Sequence, residues 1–437
     1  MAHSHTADGP FLGRLGWILH RMVASYWALP LAGVLAAIPV AIAVLALDRA
    51  GLGAWMLAND LDPVATADTA KDLLAVAVGV NAAFITLYFS LTLLVLTVAS
   101  SNLGVRLVDR WLDKRLVRVS LAGLSFTLIY SLAAMAAIDA EATKADTPVA
   151  LVASVVFLQG VNVAMLTVAL HDLGRTIFVD RSIDTLGKDA ADGPVGVTSG
   201  ERIDTDWACV VTSPREGYVE GNNLDRLQKR LGENAGRIRI CAAPGQHVLQ
   251  GDALVLIQSP LPGDMAAEDL RDTVPVGGFR SDGQGAVFRI RLLVEIAARA
   301  LSPAVNDFYT ALTAGDRLAA AMIGQRHNWV DGDSMPVFAK NASIELPGQD
   351  FRGLFTDPLN AFRQAACQYP SVSIRMIDNY ARVRKKALDD GQSGEFGEFV
   401  AQCARQLRDH AASVTDYAGD RDDIMAAFRR GFGEDAN

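Results

Sequence analysis

Four long stretches without a charged side chain constrain this chain more than any other feature of its sequence. They are Ala28–Leu47, Leu73–Val105, Val119–Ile138 and Thr147–Leu170. Each supplies the roughly 20 residues that an α-helix needs to cross a hydrocarbon core about 30 Å thick. We therefore predict a transmembrane domain over residues 28–170, with helices at about 28–47, 73–100, 119–138 and 147–170. Residues 1–27 are predicted to be an N-terminal cytoplasmic or interfacial segment.

The overall composition agrees with a membrane protein that has a sizeable soluble part. Charged residues make up 20% of the 437 residues, below the roughly 25% of an ordinary soluble domain. The net charge of −9 excludes nucleic-acid binding through a globally basic surface. We therefore expect the lipid bilayer as a partner and no nucleic acid.

The loop between the second and third spans is basic, and the loops on either side of it are acidic. Its basic residues are Arg106, Arg110, Lys114, Arg115 and Arg118. Because cytoplasmic loops are enriched in Lys and Arg, this pattern predicts that the loop and both termini face the cytoplasm. The four cysteines all follow the last span, without metal-binding spacing, and free thiols suit that reducing compartment.

The spans contain no ionisable side chain, which argues against a proton relay or a voltage sensor. The second span instead carries a stripe of small and hydroxyl residues within about 60° of the helical wheel. The stripe consists of Gly79, Ala83, Thr86, Ser90, Thr97 and Ser101. Helix packing is the interpretation we favour for Thr86, Ser90, Thr97 and Ser101. The alternative is a pore lining, which would require an oligomer.

The sequence of the remainder of the chain predicts a soluble α+β region. Residues 171–200 are charged and glycine-containing, which predicts a linker. Short alternating strands separated by Gly and Pro turns predict a small β-barrel or sandwich module over residues 201–262. Residues 263–437 are predicted to be α+β and mostly helical. The fold class is therefore a four-helix membrane domain with a cytoplasmic α+β region whose C-terminal half is helical.

One polar constellation in the cytoplasmic region is a candidate pocket. It consists of Arg280, Gln284, Arg289, Asn306 and Asp307. The arginines could bind an anion that Asn306 and Asp307 orient. The structural alternative, which we favour, is that Asn306 and Asp307 satisfy backbone groups near a helix that starts at Ser302–Pro303, while Arg280 pairs with Asp307.

Two segments resemble a family of bacterial predicted membrane proteins that is grouped as a domain of unknown function. The first runs from Ile85–Thr92 to Ala99–Arg106, and the second runs from Arg280 through Phe288–Leu301 to Ala311. The family signature has Asp and Pro where this chain has Gly285 and Phe308. The resemblance implies an integral protein of the bacterial cytoplasmic (inner) membrane, and it carries no established activity.

No catalytic motif is present in the sequence: it has no P-loop, no H-E-x-x-H and no G-x-S-x-G. We therefore expect no enzymatic activity, no cofactor and no metal site. The expected function is a homo-oligomeric channel or transport-like protein with a cytoplasmic regulatory or assembly domain. The alternative is a membrane-anchored ligand sensor or scaffold without transport.

Overall fold

The computed structural model describes residues 27–64, 66–103, 115–139, 143, 146–176, 179–192, 196–200, 206–232, 236–280, 284–332, 336–339 and 344–433. These residues form two compact units. The described residues up to Ser101 and those from Arg115 to Thr176 belong to the first unit. Asn102, Leu103 and the described residues from Val179 onward belong to the second.

The N-terminal unit is built from α-helices. They are α1 (Ala28–Leu47), α2 (Gly53–Ala58), α3 (Ala67–Leu103), α4 (Arg115–Ala136) and α5 (Val149–Thr176), with a π-helical turn at Asp48–Leu52 between α1 and α2. Four segments are long and apolar enough to cross a membrane, namely Ala28–Ala58, Ala67–Val98, Leu116–Ala136 and Val149–Gly174. The prediction of four membrane-crossing helices is confirmed.

Small residues bring the first span close to the third. Helix α1 packs along α4, and α4 packs along α5. A Cβ added at Gly33 would lie 2.9 Å from the backbone oxygen of Ala122. One turn further along α1, Ala37 is fully buried in an apolar cluster that includes residues of α4. Lipid tails are as apolar as the helices themselves, so close backbone contact of this kind stabilises helix pairs in a membrane.

The start of α5 is capped by a residue that lies about 100 positions earlier in the chain. Pro148, which precedes the helix, has no side chain that could accept a hydrogen bond. The buried carboxylate of Asp48 accepts instead from the N–H groups of Ala150 (3.1 Å) and Leu151 (3.5 Å). An acidic residue that the sequence analysis counted only as part of an acidic loop therefore has a structural role.

The C-terminal unit combines helices with short strands. Its α-helices are α6 (Val179–Ala191), α7 (Leu224–Leu231), α8 (Ala286–Ala300), α9 (Phe308–Gln325), α10 (Phe351–Ala366), α11 (Pro370–Asp389), α12 (Gly394–Val414) and α13 (Ala418–Phe432). Its strands are β1 (Val197–Ser199), β2 (Cys209–Thr212), β3 (Gly217–Val219), β4 (Ile238–Ile240), β5 (His247–Val248), β6 (Ala253–Ile257), β7 (Val276–Gly277), β8 (Val337–Ala339) and β9 (Ile344–Glu345).

The strands form two sheets in the middle of the chain. One has the order β1-β8-β9-β4-β6-β2, with β4 and β9 parallel and the other pairs antiparallel; the second is the antiparallel set β5-β3-β7. The mixed sheets confirm a β-containing region within a mostly helical chain, whereas closure into a barrel or sandwich stays a prediction. Strands β1, β8 and β9 come from outside residues 201–262, and local patterns cannot reveal such long-range pairing.

A helix occupies much of the segment that was predicted as a linker. Along α6, Ile183, Leu186 and Ala190 are buried, and α6 packs against α8 and α9. These apolar residues recur every three or four positions, which is the spacing of a helix that buries one face. The surrounding charged and glycine residues obscured that pattern in the sequence.

Candidate functional site

The hydroxyl stripe of α3 lies on the outside of the N-terminal unit. Thr86, Ser90 and Thr97 are exposed, as are Gly79 and Ala83. The three hydroxyls donate to the carbonyls four residues earlier, at 2.8–2.9 Å. The stripe therefore faces away from the other described helices and satisfies its own donors. The side chain of Ser101 lies outside the described residues.

The opposite face of α3 carries a polar cluster that the sequence analysis did not assign. The fully buried Asn81 donates to Gln159 Oε1 of α5 (2.9 Å), and Asn162 of α5 donates to Asn81 Oδ1 (3.2 Å). The Nε2 of Gln159 is also buried and has no partner among the described residues. The available signal was that these three are the only amide side chains within the four predicted helices at 28–47, 73–100, 119–138 and 147–170.

This amide cluster fastens α3 to α5. Interhelical hydrogen bonds in membranes contribute about 0.6 kcal/mol each and about 1.7 kcal/mol at most. The cluster turns one face of α3 towards the rest of its own unit. As a result the small-residue stripe, on the other side of the same helix, is exposed and available to contact lipid or another protein.

Arg280, the first member of the candidate cytoplasmic pocket, lies next to the three-stranded sheet. Its guanidinium carbon is 4.9 Å from the ring centre of Tyr218 in β3, and Tyr218 also makes an edge contact with His247 in β5. The Nε of Arg280 is buried without a hydrogen-bond partner among the described residues. A cation held over an aromatic ring contributes about 0.5–1 kcal/mol at an exposed site.

Gln284 and Arg291 add to the polar character of this region. Gln284 is buried beneath the turn at Gly245, where an added Cβ would lie 3.3 Å from Gln284 Oε1. The Nε2 of Gln284 has no hydrogen-bond partner in the part of the chain that the structure describes. Burial lowers the pKa of Arg291, and the neighbouring positive charge of Arg280 lowers it further. Two arginines and two unpartnered N–H groups in one region have the chemistry to bind an anion.

The other three candidate residues make separate, structural contacts. The Nη1 of Arg289 donates to the backbone oxygen of Asp189 in α6 (3.1 Å). Asn306 has a left-handed backbone with φ of +49°. Asp307 is the N-cap of α9 and accepts from the backbone N–H (3.1 Å) and the hydroxyl (2.6 Å) of Thr310.

The helix start expected at Ser302–Pro303 is wrong. The N–H groups of Val305 and Asn306 both donate to the Ser302 oxygen, which closes a turn. The left-handed Asn306 prevents that turn from continuing as a helix. The helix begins at Phe308 instead, directly after its cap.

The capping geometry predicts a small effect for Asp307→Asn. An asparagine keeps a side-chain oxygen at the N-cap, so only the charge–dipole part is lost and unfolding becomes easier by less than about 1 kcal/mol. Asp307→Ala removes the acceptor and should cost about 0.5–2 kcal/mol. Urea melts of a 178–437 fragment measure both. A loss of several kcal/mol for the asparagine variant would contradict a capping role.

Four apolar helices, a hydroxyl stripe and a following α+β unit define a membrane protein with a large non-membrane part. The chain belongs to the family described as "Predicted membrane protein (DUF2254)", whose sequence profile matches residues 23–382. The family resemblance drawn from the two sequence segments is thereby confirmed.

The chain is also similar to mycobacterial proteins that carry no assigned activity. An uncharacterized protein of Mycobacterium bovis and one of Mycobacterium tuberculosis are each 30% identical over 342 residues, covering 73% of this chain. This chain spans 64% of the length of those relatives. No solved structure matches the chain.

Proposed function

We propose that this protein is a homo-oligomeric channel or transport-like protein of the bacterial inner membrane, with a cytoplasmic regulatory or assembly domain. The observation that carries the proposal is the exposed stripe on α3. Gly79 and Ala83, and likewise Thr86 and Ser90, form small-xxx-small pairs, the spacing through which membrane helices associate closely. We assign the stripe to contacts with other copies of the chain around a common axis.

The hydroxyls give such an axis a polar character. Each lies near a backbone carbonyl of its own helix, so the stripe offers oxygen atoms and no charge. A path lined by neutral oxygens replaces part of the hydration shell of a permeating species. A single chain has too few helices to enclose such a path, and the proposal therefore requires an oligomer.

A matched pair of glycine variants tests the association. Gly79 on the stripe and Gly160 on α5 are both exposed, and both have open space where a Cβ would be placed. We expect native mass spectrometry in nanodiscs to give an oligomer for the wild type and for Gly160→Leu, and a loss of oligomer for Gly79→Leu. Liposomes should pass potassium or chloride in the first two cases only. A monomeric wild type would refute the channel.

The orientation is also part of the proposal: both termini lie in the cytoplasm. In a variant without native cysteines, a cysteine at Thr66 or Thr143 should react with an impermeant thiol reagent added outside cells. A cysteine at Lys114 should react only after the membrane is permeabilised, because the basic loop around it is predicted to be cytoplasmic. The reverse labelling pattern would overturn the orientation.

The sheets are further proposed to close on each other as a small barrel or sandwich. Val211 and Ile240 of the larger sheet share one buried cluster with Val219 and Val248 of the smaller sheet, which supports that arrangement. Closed packing should protect the amides of both sheets equally in hydrogen exchange. Fast exchange confined to β3, β5 and β7 would contradict it.

The alternative function is a membrane-anchored sensor of an anionic ligand. It is favoured by Arg280 and Arg291, which lie near each other, and by the unpartnered Nε2 of Gln284. Inorganic phosphate titrated into the full chain should then bind, and Arg280→Gln should weaken that binding. Liposomes that contain the protein should show no ion flux. The channel would be favoured if liposomes show ion flux and Arg280→Gln leaves phosphate binding unchanged.

A further inference from the structure

A small cavity lies within the C-terminal helical bundle, apart from both sites described above. It has a volume of about 120 Å³ and is enclosed by α10, α11 and α12. Its apolar walls are Leu359 and Phe399, and its polar walls include Arg363, Tyr380 and Cys403. Gln402 and Gln406, both exposed, lie at its rim, so the cavity opens to solvent between α10 and α12.

Two polar side chains of the cavity wall have hydrogen-bonding capacity that the described residues do not use. Tyr380 is only 1% exposed and lines the cavity, and its hydroxyl has no hydrogen-bond partner in the part of the chain that the structure describes. A buried tyrosine hydroxyl usually has one. The guanidinium of Arg363 also lines the cavity, and its Nε–H has no partner among the described residues. The Tyr380 hydroxyl and the Arg363 guanidinium are able to donate to an occupant of the cavity.

The cavity wall carries one positive charge. Arg363 is held by His410, whose Nδ1 accepts from Nη1 at 2.8 Å because arginine only donates. Burial raises the pKa of the Cys403 thiol to about 12 and that of Tyr380 well above its ordinary value, so both are neutral at pH 7.

The acidic side chains of the neighbouring helix do not cancel this charge. On α12, Glu395 lies 3.9 Å from Arg352, Glu398 pairs with Arg405, and Asp409 pairs with Arg408 at 2.7 Å. All three carboxylates therefore have arginine partners of their own. Arg363 remains the only ionised group among the residues that line the cavity.

The volume limits the occupant to a few heavy atoms. Drug-sized ligands occupy about 300–1,000 Å³, whereas an engineered apolar cavity of about 150 Å³ holds benzene. We propose that this cavity binds a small monocarboxylate with a short branched or aromatic body, its carboxylate held by Arg363 and the Tyr380 hydroxyl and its body between Leu359 and Phe399. This proposal does not depend on the proposed channel function. The part of the cavity wall that α12 contributes lies beyond residues 23–382, which match the family profile.

Calorimetric titration of the full-length protein in detergent tests the proposal. The probes are sodium isovalerate and sodium benzoate, with isovaleramide and benzamide as neutral counterparts of the same shape. At least one acid should bind with a Kd of about 1 mM or below, and its amide should bind at least tenfold more weakly. Binding of neither acid, or equal binding of acid and amide, would overturn the proposal.

Variants locate the binding in the cavity. Tyr380→Phe and Arg363→Gln should each weaken the binding of the acid tenfold or more. Tyr417→Phe and Arg430→Gln make the same chemical changes at exposed positions and should leave the affinity unchanged. If Arg363→Gln does not fold, Tyr380→Phe decides, because losing an unpartnered buried hydroxyl should not lower the stability of the unliganded protein. Unchanged affinity in Tyr380→Phe would reject the site.

Discussion

Replacing Phe351 with alanine should lower the free energy of unfolding of the C-terminal unit by about 3–5 kcal/mol. Phe351 is fully buried at the start of α10. Its ring centre lies 4.5 Å from that of Phe355, 5.0 Å from that of Phe396 and 6.0 Å from that of Trp329. Truncation removes the transfer free energy of the ring and leaves a cavity that helices α10 and α12 cannot close completely.

Urea melts of a 178–437 fragment, followed by tryptophan fluorescence, measure this effect. Of the two tryptophans in the fragment, Trp207 and Trp329, the second packs on the deleted ring. Phe279→Ala is the matched control: its ring is 78% exposed, so its removal should change stability by less than about 0.5 kcal/mol. Equal midpoints for the two variants would mean that the aromatic cluster does not hold the bundle together.

The parts of the fold that follow from local pattern could be predicted from sequence. An uncharged run of about 20 residues has few alternatives to a membrane helix, and the four spans are indeed helical. The short strands separated by Gly and Pro turns that were predicted for residues 201–262 are seen as β2 to β6, and Gly245 has a positive φ in the turn before β5. The mostly helical character predicted for residues 263–437 is likewise seen in α8 to α13.

The parts that depend on distant pairing could not be predicted. Asn81 looked like an isolated polar residue because its partners Gln159 and Asn162 follow about 80 positions later. The candidate pocket grouped residues that are close in sequence, yet Arg289 contacts Asp189, 100 positions earlier, and Arg280 lies over the ring of Tyr218. Asp307 caps its own helix. The hydroxyl stripe was visible in the sequence, but its exposure depends on which face of α3 the amide cluster holds inward.

Asp48→Ala should be the most damaging single change at the ends of the membrane helices. The carboxylate is 7% exposed and accepts from two N–H groups at the first turn of α5. Without it those donors stay buried and unpaired, and the free energy of unfolding should fall by about 1–3 kcal/mol. Asp48→Asn keeps an acceptor and should lose less, since asparagine and aspartate cap helices about equally well.

Gly53→Ala tests the same contact from the other side. A Cβ at Gly53 would collide with the Asp48 carboxylate, so the alanine should displace the cap and destabilise the N-terminal unit in the same direction as Asp48→Ala. Gly160→Ala is the control, because open space surrounds that helical glycine and alanine is the better helix former there. Thermal unfolding of the detergent-solubilised chain, followed by circular dichroism, compares all four variants. If Gly53→Ala is as stable as Gly160→Ala, the Asp48 carboxylate does not hold the start of α5, and the first span is fixed to the fourth by apolar packing alone.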